Sequence, residues 1–286
     1  MRLFERQLTH CGPVNVSVRS NTYCSSDMKV LSLTSQPGEP RYCQSQQVNY
    51  WFWERGYEVI SFARDALLSG SLDHYLHDER EDTIVYGAVA VVRDALKRAN
   101  RPAPPNIDFP DELRGYLGRR VSECTMGTVR ELVRDESAQL PIHVKPRDRQ
   151  KLFKGRVVST FADLIESSGV PDNEPVISQE VVSFVSEWRA TVLRNKIVNI
   201  SNYKGDPMCF PNPETVSAAV DQYKTQPIGF GMDWGVTDTG QTLLVEVNDG
   251  FALGNYGTKG YHYTAMIECR WRELMGLSDN GVGWEP

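Results

Sequence analysis

The chain has 286 residues, of which 40% are hydrophobic and 24% charged, a composition typical of a folded protein of about two domains. Its net charge of -6 argues against general nucleic-acid binding, which needs a surplus of cations to neutralise phosphates. No apolar run approaches the ~20 residues of a membrane helix, and the six cysteines are dispersed without a CxxC pair, so we expect a cytoplasmic protein that does not bind membranes.

Strands and helices alternate in the first third of the chain. Val48, Trp51 and Phe52 recur at helical spacing, and Gly56 follows them as a C-cap. The predicted strands are 28–33, 57–62 and 82–86, and the predicted helices are 44–55 and 87–99. Such alternation indicates the α/β class, with a small parallel sheet covered by helices.

The rest of the chain combines hairpins with single helices. Thr160 and Asp163 form a capping-box pattern, Asn212 precedes a proline at a helix start, and Asn195 marks a hairpin turn. The predicted strands are 142–145, 155–159, 176–182, 187–193, 196–201, 229–235 and 241–247, and the predicted helices are 125–135, 160–167, 212–223 and 261–275, with a short one within 108–118.

Composition also predicts a division of the chain. Residues 1–27 are polar and turn-rich, and we expect a poorly ordered arm, although an ordered strand at 14–18 is the alternative. A folded region follows over 28–105 and ends at a proline cluster.

A strand near the C-terminus carries two oxygen-bearing side chains. Glu246 and Asn248 lie two residues apart in VEVNDG and therefore share a face, and Asp233 lies on the preceding strand. Two carboxylates and an amide oxygen are ligands that Mg²⁺ accepts, commonly together with substrate phosphates. The alternative is a solvated sheet face with incidental carboxylates.

A basic loop follows the strand that ends in HVKP. Lys145 ends the strand, and the loop RDRQKLFKG contains Lys151 and Lys154. Lysines in such a strand–loop–strand hairpin can neutralise a polyphosphate as point charges. The chain contains no GxxxxGK[ST] phosphate loop, and a solvated basic loop is the alternative.

A third group lies in SQEVVSFVSEWR. Glu180 precedes Val181 and Val182, whose backbone groups and apolar side chains suit an adenine ring. Glu187 can accept from ribose hydroxyls, and Arg189 can bind phosphate or a carboxylate. An ordinary strand whose Glu187 and Arg189 pair with neighbours is the alternative.

The order of these groups resembles the ATP-grasp superfamily, which includes D-alanine–D-alanine ligase, glutathione synthetase and the ribosomal-protein glutamate ligases. The resemblance covers about residues 28–286 and is most specific at EVN with its upstream aspartate. It implies an ATP-grasp fold, with an α+β ATP-binding part, preceded by a small Rossmann-like domain at 28–105. Residues 106–178 then correspond to the central lid subdomain, and residues 179–286 to the C-terminal subdomain with the metal site.

The resemblance also implies a role for each candidate residue. It assigns the nucleotide phosphates to Lys145 and Lys151 or Lys154, the adenine to Glu180, Val181 and Val182, the ribose to Glu187, a phosphate or substrate contact to Arg189, and Mg²⁺ to Asp233, Glu246 and Asn248.

More narrowly, YGAVAVV, VKPRDRQKLFKG, SEWR, NYKGD and EVNDGFALGNYG resemble the ATP-grasp clade named for two arginines and a lysine. The clade's further arginine and lysine correspond to Arg194 and Lys204. The charged loop departs from the glycine-rich flap of better-known members, so Lys151 and Lys154 compete for the phosphate.

The resemblance implies an ATP- and magnesium-dependent carboxylate–amine ligase that works through an acylphosphate. Its substrates would be a small-molecule or peptide acid and an amine, and Arg189, Arg194 and Lys204 would serve the reaction. A phosphotransferase on the same fold and a non-catalytic nucleotide-binding protein are the rivals. A homodimer is possible in this family, although the aromatic cluster 50–53 is better explained by core packing.

Overall fold

A computed structural model describes residues 28–33, 43–149 and 152–282 of the chain. The predicted arm at 1–27 and Lys151 therefore lie outside the described residues. Among the described residues, none of the helices is long and apolar enough to cross a membrane.

The N-terminal part is a three-stranded parallel sheet of order β2-β1-β3. Its elements are β1 (Lys29–Leu33), α1 (Cys43–Glu54), β2 (Glu58–Phe62), α2 (Arg64–Leu68), α3 (Asp73–His77), β3 (Thr83–Tyr86) and α4 (Val89–Arg98). The three predicted strands and two predicted helices are all present. The five-residue helices α2 and α3 were not predicted, because each is too short to establish a helical period.

A four-stranded antiparallel sheet of order β4-β7-β5-β6 follows. It is built by β4 (Val121–Thr125), α5 (Met126–Arg134), β5 (Ile142–Pro146), β6 (Arg156–Val158) and β7 (Pro175–Glu180), with 3-10 helices at Asp111–Tyr116 and Phe161–Ser167. The predicted capping box at Thr160 and Asp163 is present. Strand β4 was not predicted, and the strand predicted to reach residue 182 was wrong at its end, because it stops at Glu180.

The C-terminal sheet is antiparallel and has the order β11-β10-β8-β9. Its elements are β8 (Ser186–Leu193), β9 (Lys196–Gly205), α6 (Pro213–Gln222), β10 (Gly229–Val236), β11 (Thr242–Asp249), a 3-10 turn at Gly250–Ala252 and α7 (Gly260–Met275). Arg194 and Asn195 both have positive φ, as a two-residue type I′ hairpin requires, so the turn predicted at Asn195 is confirmed.

Helix α7 returns to the N-terminal sheet. Tyr263, Ile267 and Trp271 share one buried core with β1, β3, α1 and α4. The Trp271 indole donates to the Thr83 carbonyl at 2.8 Å. The end of the chain therefore fixes the N-terminal sheet against the C-terminal one, while the predicted division at residues 105 and 178 stays a prediction.

Candidate active site

Lys145 joins the central and C-terminal sheets. It lies near the end of β5, and its Nζ contacts Asp108 Oδ1 at 2.5 Å and Glu246 Oε2 at 2.7 Å. The ammonium also lies 4.7 Å from the ring centroid of Phe109. A largely buried cation in contact with two carboxylates is well placed to exchange one of them for a phosphate oxygen.

The predicted oxygen trio is assembled in the structure. Asp233 and Glu246 are opposite each other on β10 and β11, and Asn248 lies on the same face two residues on. The Asn248 amide donates to Asp233 Oδ2 at 3.2 Å and to Glu246 Oε1 at 3.1 Å. Two carboxylates this close together create a negative potential between them, which favours binding of a cation there.

The Glu246 carboxylate and the Asn248 amide fit Mg²⁺, and Asp233 would join them by sharing with the ion the oxygens that now accept from Arg189. Turning the Asn248 amide by half a rotation would present its oxygen beside the carboxylates of Asp233 and Glu246. Within the described ranges, no three His, Cys, Asp or Glu side chains come together as a complete metal cage. Mg²⁺ normally takes only one or two protein carboxylates and completes its shell with phosphate and water.

Lys145 offsets the effect of burial on the neighbouring carboxylates, fully for Glu246 and in part for Asp108. Burial alone would raise the pKa of Glu246, but Lys145 and Asn248 outweigh burial and the pKa is lowered. Burial likewise acts to lower the pKa of Lys145, while Glu246 and Asp108 outweigh it and raise the pKa. The pKa of Asp108 is raised, chiefly by burial. The cluster therefore depends on Lys145 for its two carboxylates to stay charged.

Arg189 is held by Asp233. Its Nε and Nη2 atoms donate to the two Asp233 oxygens, each at 2.6 Å, across the β8–β10 pair. The guanidinium lies 4.5 Å from the ring centroid of Tyr256, and Nη1 is 3.5 Å from the Gly254 carbonyl. The bidentate edge predicted to bind a phosphate or carboxylate is thus occupied by Asp233, and only the Nη1 side faces the loop after β11.

One cavity of about 390 Å³ contains the predicted adenine and ribose residues; we call it the hinge cavity. Its walls include Glu180, Val181, Val182, Glu187 and Lys204, and also His143, Phe184, Asp233 and Glu246. Val181 and Val182 follow the last residue of β7 and lie outside its ladder. The segment therefore remains free to pair with a ligand instead of a strand.

Glu187 and Lys204 face each other on β8 and β9. The Tyr203 hydroxyl donates to Glu187 Oε2 at 2.9 Å, and Lys204 Nζ lies 2.5 Å from Oε1. Both side chains line the hinge cavity. Lys204, predicted as a reaction residue, is therefore on the side of the cluster where the nucleotide base and ribose are expected.

A second cavity of about 540 Å³ lies beside the first; we call it the amino-terminal cavity. Its walls come from α4, from the linker 105–108, from the loop before β6 and from the turn after β11, and they include Lys154, Arg189 and Asn248. Lys145 and Glu246 line both cavities. The two cavities therefore meet at the Lys145–Glu246 ion pair.

One predicted residue lies elsewhere. Arg194 occupies the tip of the β8–β9 turn, where it forms an ion pair with Asp279 and donates to the Val282 carbonyl at 2.6 Å. It lines neither the hinge cavity nor the amino-terminal cavity. Its contacts tie the hairpin to the segment after α7, so the structure does not bring it to the site.

The sequence reasoning missed Arg119. Its guanidinium lines the hinge cavity and donates to the carbonyls of Leu244 and Val245 at 2.7 and 2.8 Å and to Gln179 Oε1 at 2.7 Å. Burial lowers the pKa of Arg119 to about 10. In the sequence, Arg119 and Arg120 stand directly before β4. Because β4 was not predicted, nothing in the sequence placed these arginines near the site.

Comparison with protein families gives a match over the central and C-terminal parts of the chain. Residues 116–266, more than half of the chain, match the family described as ATP-grasp domain, R2K clade family 2. Comparison with curated proteins gave no match.

Several solved structures share the fold. The L-amino acid ligase from Bacillus licheniformis has a TM-score of 0.56 at 11% identity, covering 91% of this chain and 78% of that one. The ADP complex of N5-carboxyaminoimidazole ribonucleotide synthetase has a TM-score of 0.55 at 13% identity, covering 88% and 78%. D-cycloserine synthetase has a TM-score of 0.50 at 11% identity, covering 86% and 99%. At such identities the likeness establishes the fold alone.

Proposed function

The chain belongs to family 2 of the R2K clade of ATP-grasp domains, and we propose that it is an ATP-dependent ligase that joins a carboxylic acid to an amine. The observation that carries this proposal is the meeting of two cavities at one ion pair, Lys145–Glu246. In phosphoryl transfer the attacking and leaving oxygens lie roughly in line on opposite sides of the phosphorus, and cations neutralise the charge that develops. Two cavities that share one cation support such an arrangement, with ATP in one and the acceptor in the other.

The hinge cavity would hold ATP. Val181 and Val182 would contact the adenine, and Glu187 would accept from the ribose in place of its present partner Lys204. With the base there, the phosphates would extend toward Lys145. Arg119 lines the same cavity and fixes the carbonyl groups of β11 that border it.

Asp233, Glu246 and Asn248 would hold the magnesium ion. When bound, Mg²⁺ neutralises charge on the β- and γ-phosphates during phosphoryl transfer. Lys145 contributes the protein's own cation at the same point, since it already binds Glu246. Lys154 lies on the wall of the amino-terminal cavity, where it can bind the transferred phosphate.

The amino-terminal cavity would hold the two substrates. A carboxylate there attacks the γ-phosphorus of ATP, which forms an acylphosphate and releases ADP. An amine then attacks the acyl carbon, the amide bond forms, and phosphate leaves. The Nη1 side of Arg189 lies at the Gly254 turn of this cavity, where it can stabilise the oxyanion that develops on the acyl oxygen.

The proposal is tested by product analysis. The purified protein is incubated with ATP, Mg²⁺ and pools of amino acids, dicarboxylic acids and short peptides, and ADP, phosphate and new amides are measured. We expect equal amounts of ADP, free phosphate and one amide product. A stable phosphoester without free phosphate would instead indicate the phosphotransferase, and would refute the ligase.

Matched variants locate the activity. Glu246→Ala should abolish turnover with the fold intact. Asp238→Ala removes an exposed carboxylate from the turn of the same hairpin and should leave turnover unchanged. Equal turnover in Glu246→Ala and wild type would contradict the assignment of the metal residues.

A further inference from the structure

The charges on the walls of the amino-terminal cavity are not balanced. Among the described residues, three carboxylates line it, of which Lys145 binds Asp108 and Glu246 and Arg270 binds Asp249. Four cations line it: Arg93, Lys145, Lys154 and Arg189. Two cations that line the cavity, Arg93 and Lys154, form no ion pair with any described residue. The cavity therefore has a surplus of positive charge that suits an anionic ligand.

The Arg93 side chain is held in place by hydrogen bonds to uncharged groups. Its Nη2 atom donates to Asn106 Oδ1 at 2.9 Å and to the Pro104 carbonyl at 3.3 Å. Its Nε atom is buried and donates to no atom of the described residues. A buried donor without an acceptor costs free energy, so a shift of the Arg93 side chain toward an acceptor in the cavity would remove that cost.

The position of Arg93 in the fold is one where ligands commonly bind. Strands β1 and β3 are parallel, and α4 begins at Val89, directly after the carboxyl end of β3. Val89 and Arg93 lie one helical turn apart and both line the amino-terminal cavity. Open parallel sheets bind their ligands in the crevice beyond the carboxyl ends of the strands.

Resting on the proposed function, we propose that Arg93 binds a substrate carboxylate that does not react. The reacting carboxylate must reach the Lys145–Glu246 end of the cavity, where the phosphate is expected. Arg93 lies on α4, away from the strands that carry Lys145 and Glu246, and it is anchored to the linker through Asn106, so it meets another part of the substrate. A volume of about 540 Å³ accommodates a molecule larger than a simple monocarboxylic acid.

The test is a binding titration followed by thermal denaturation, with the non-hydrolysable ATP analogue and Mg²⁺ present. The probes are succinate, glutarate, L-aspartate and L-glutamate, with monomethyl succinate, asparagine and glutamine as partners that lack one carboxylate, and L-alanine as a monocarboxylic amine. Wild type, Arg93→Gln and Lys97→Gln are compared. Lys97 is exposed on the same helix, and its variant removes the same charge outside the cavity.

We expect at least one dicarboxylate or amino acid to stabilise wild type and Lys97→Gln. Arg93→Gln should weaken that binding by about tenfold or more, which corresponds to about 1.4 kcal/mol. Dependence on the second carboxylate assigns Arg93 to the acid substrate, whereas binding of L-alanine assigns it to the amine substrate. No stabilisation of wild type by any probe, or equal affinity in Arg93→Gln, would overturn the proposal.

A measurement with the nucleotide alone distinguishes a failure of the Arg93 proposal from a failure of the proposed function. A magnesium-dependent shift with the ATP analogue alone tests the nucleotide site, and it should be the same in wild type and Arg93→Gln. If Arg93→Gln loses that shift through misfolding, Arg93→Lys replaces it: this variant keeps the charge and should bind the carboxylate more weakly than wild type. Equal binding in Arg93→Lys would then count against the guanidinium contact.

Discussion

Replacing Lys145 by methionine should destabilise the protein as well as weaken nucleotide binding. Lys145→Met keeps the length of the side chain but leaves Asp108 and Glu246 without their cation. Removing one partner of a fully buried ion pair costs ~3–5 kcal/mol, and an exposed pair contributes at most ~1 kcal/mol. Because the Asp108 and Glu246 side chains are 21% and 31% exposed, we expect an intermediate loss of about 2 kcal/mol.

The loss of stability in Lys145→Met should depend on pH in a defined direction. Without Lys145, burial raises the folded-state pKa of both carboxylates, so their charged forms destabilise the fold and their protonated forms do not. Stability is then lost as pH rises through the raised pKa values. The deficit of Lys145→Met should therefore be large at about pH 7.5 and smaller at about pH 5.

Urea denaturation at the two pH values measures this difference. In thermal denaturation, a loss of about 2 kcal/mol would lower the melting temperature by about 4–8 °C for a chain of this size. Lys154→Met is the control, because Lys154 is exposed and forms no ion pair with a described residue, and its stability should not change. Wild-type stability of Lys145→Met at about pH 7.5 would refute the reasoning.

Two further substitutions probe the walls of the hinge cavity. Arg119→Lys removes the planar guanidinium that binds two β11 carbonyls, so it should lower the free energy of unfolding by about 1–3 kcal/mol, measured by urea denaturation. The control Arg120→Lys changes an exposed neighbour and should have little effect, and equal losses in the two variants would contradict the role of the Arg119 guanidinium. Gly235→Ala adds a Cβ that overlaps the ring of Phe184, a wall of the cavity, so we expect about 1–3 kcal/mol of destabilisation and weaker binding of the ATP analogue by calorimetry. Gly115→Ala meets no atom within 4 Å and is the control, and unchanged binding in Gly235→Ala would exclude the steric argument.

Local patterns predicted much of the fold. The capping box at Thr160 and the turn at Asn195 were confirmed because each depends on residues within a few positions. Strand β4 was missed because its residues are mostly polar and partly exposed, so neither an apolar run nor a clean alternation marks it. The family resemblance was confirmed through 116–266, whereas the Rossmann-like character of 28–105 stays a prediction.

The candidate site was predictable where its residues share a strand or a hairpin. Glu246 and Asn248 were paired by the period of two, and Asp233 by the hairpin register. Arg119 and Arg93 were missed because what identifies them is their contacts with groups far along the chain or with a cavity wall. Arg194 was predicted from the resemblance, but the two-residue turn directs it to Asp279.

The most direct test of the central claim is a thermal shift with a non-hydrolysable ATP analogue, with and without Mg²⁺. Wild type, Glu246→Ala and the control Asp238→Ala are compared. A ligand at ~100 times its dissociation constant stabilises by about 2.7 kcal/mol, which for this chain is about 5–10 °C. We predict a magnesium-dependent shift in wild type and Asp238→Ala that disappears in Glu246→Ala. No shift in wild type, or the same shift in Glu246→Ala, would contradict the nucleotide and metal site proposed for this chain.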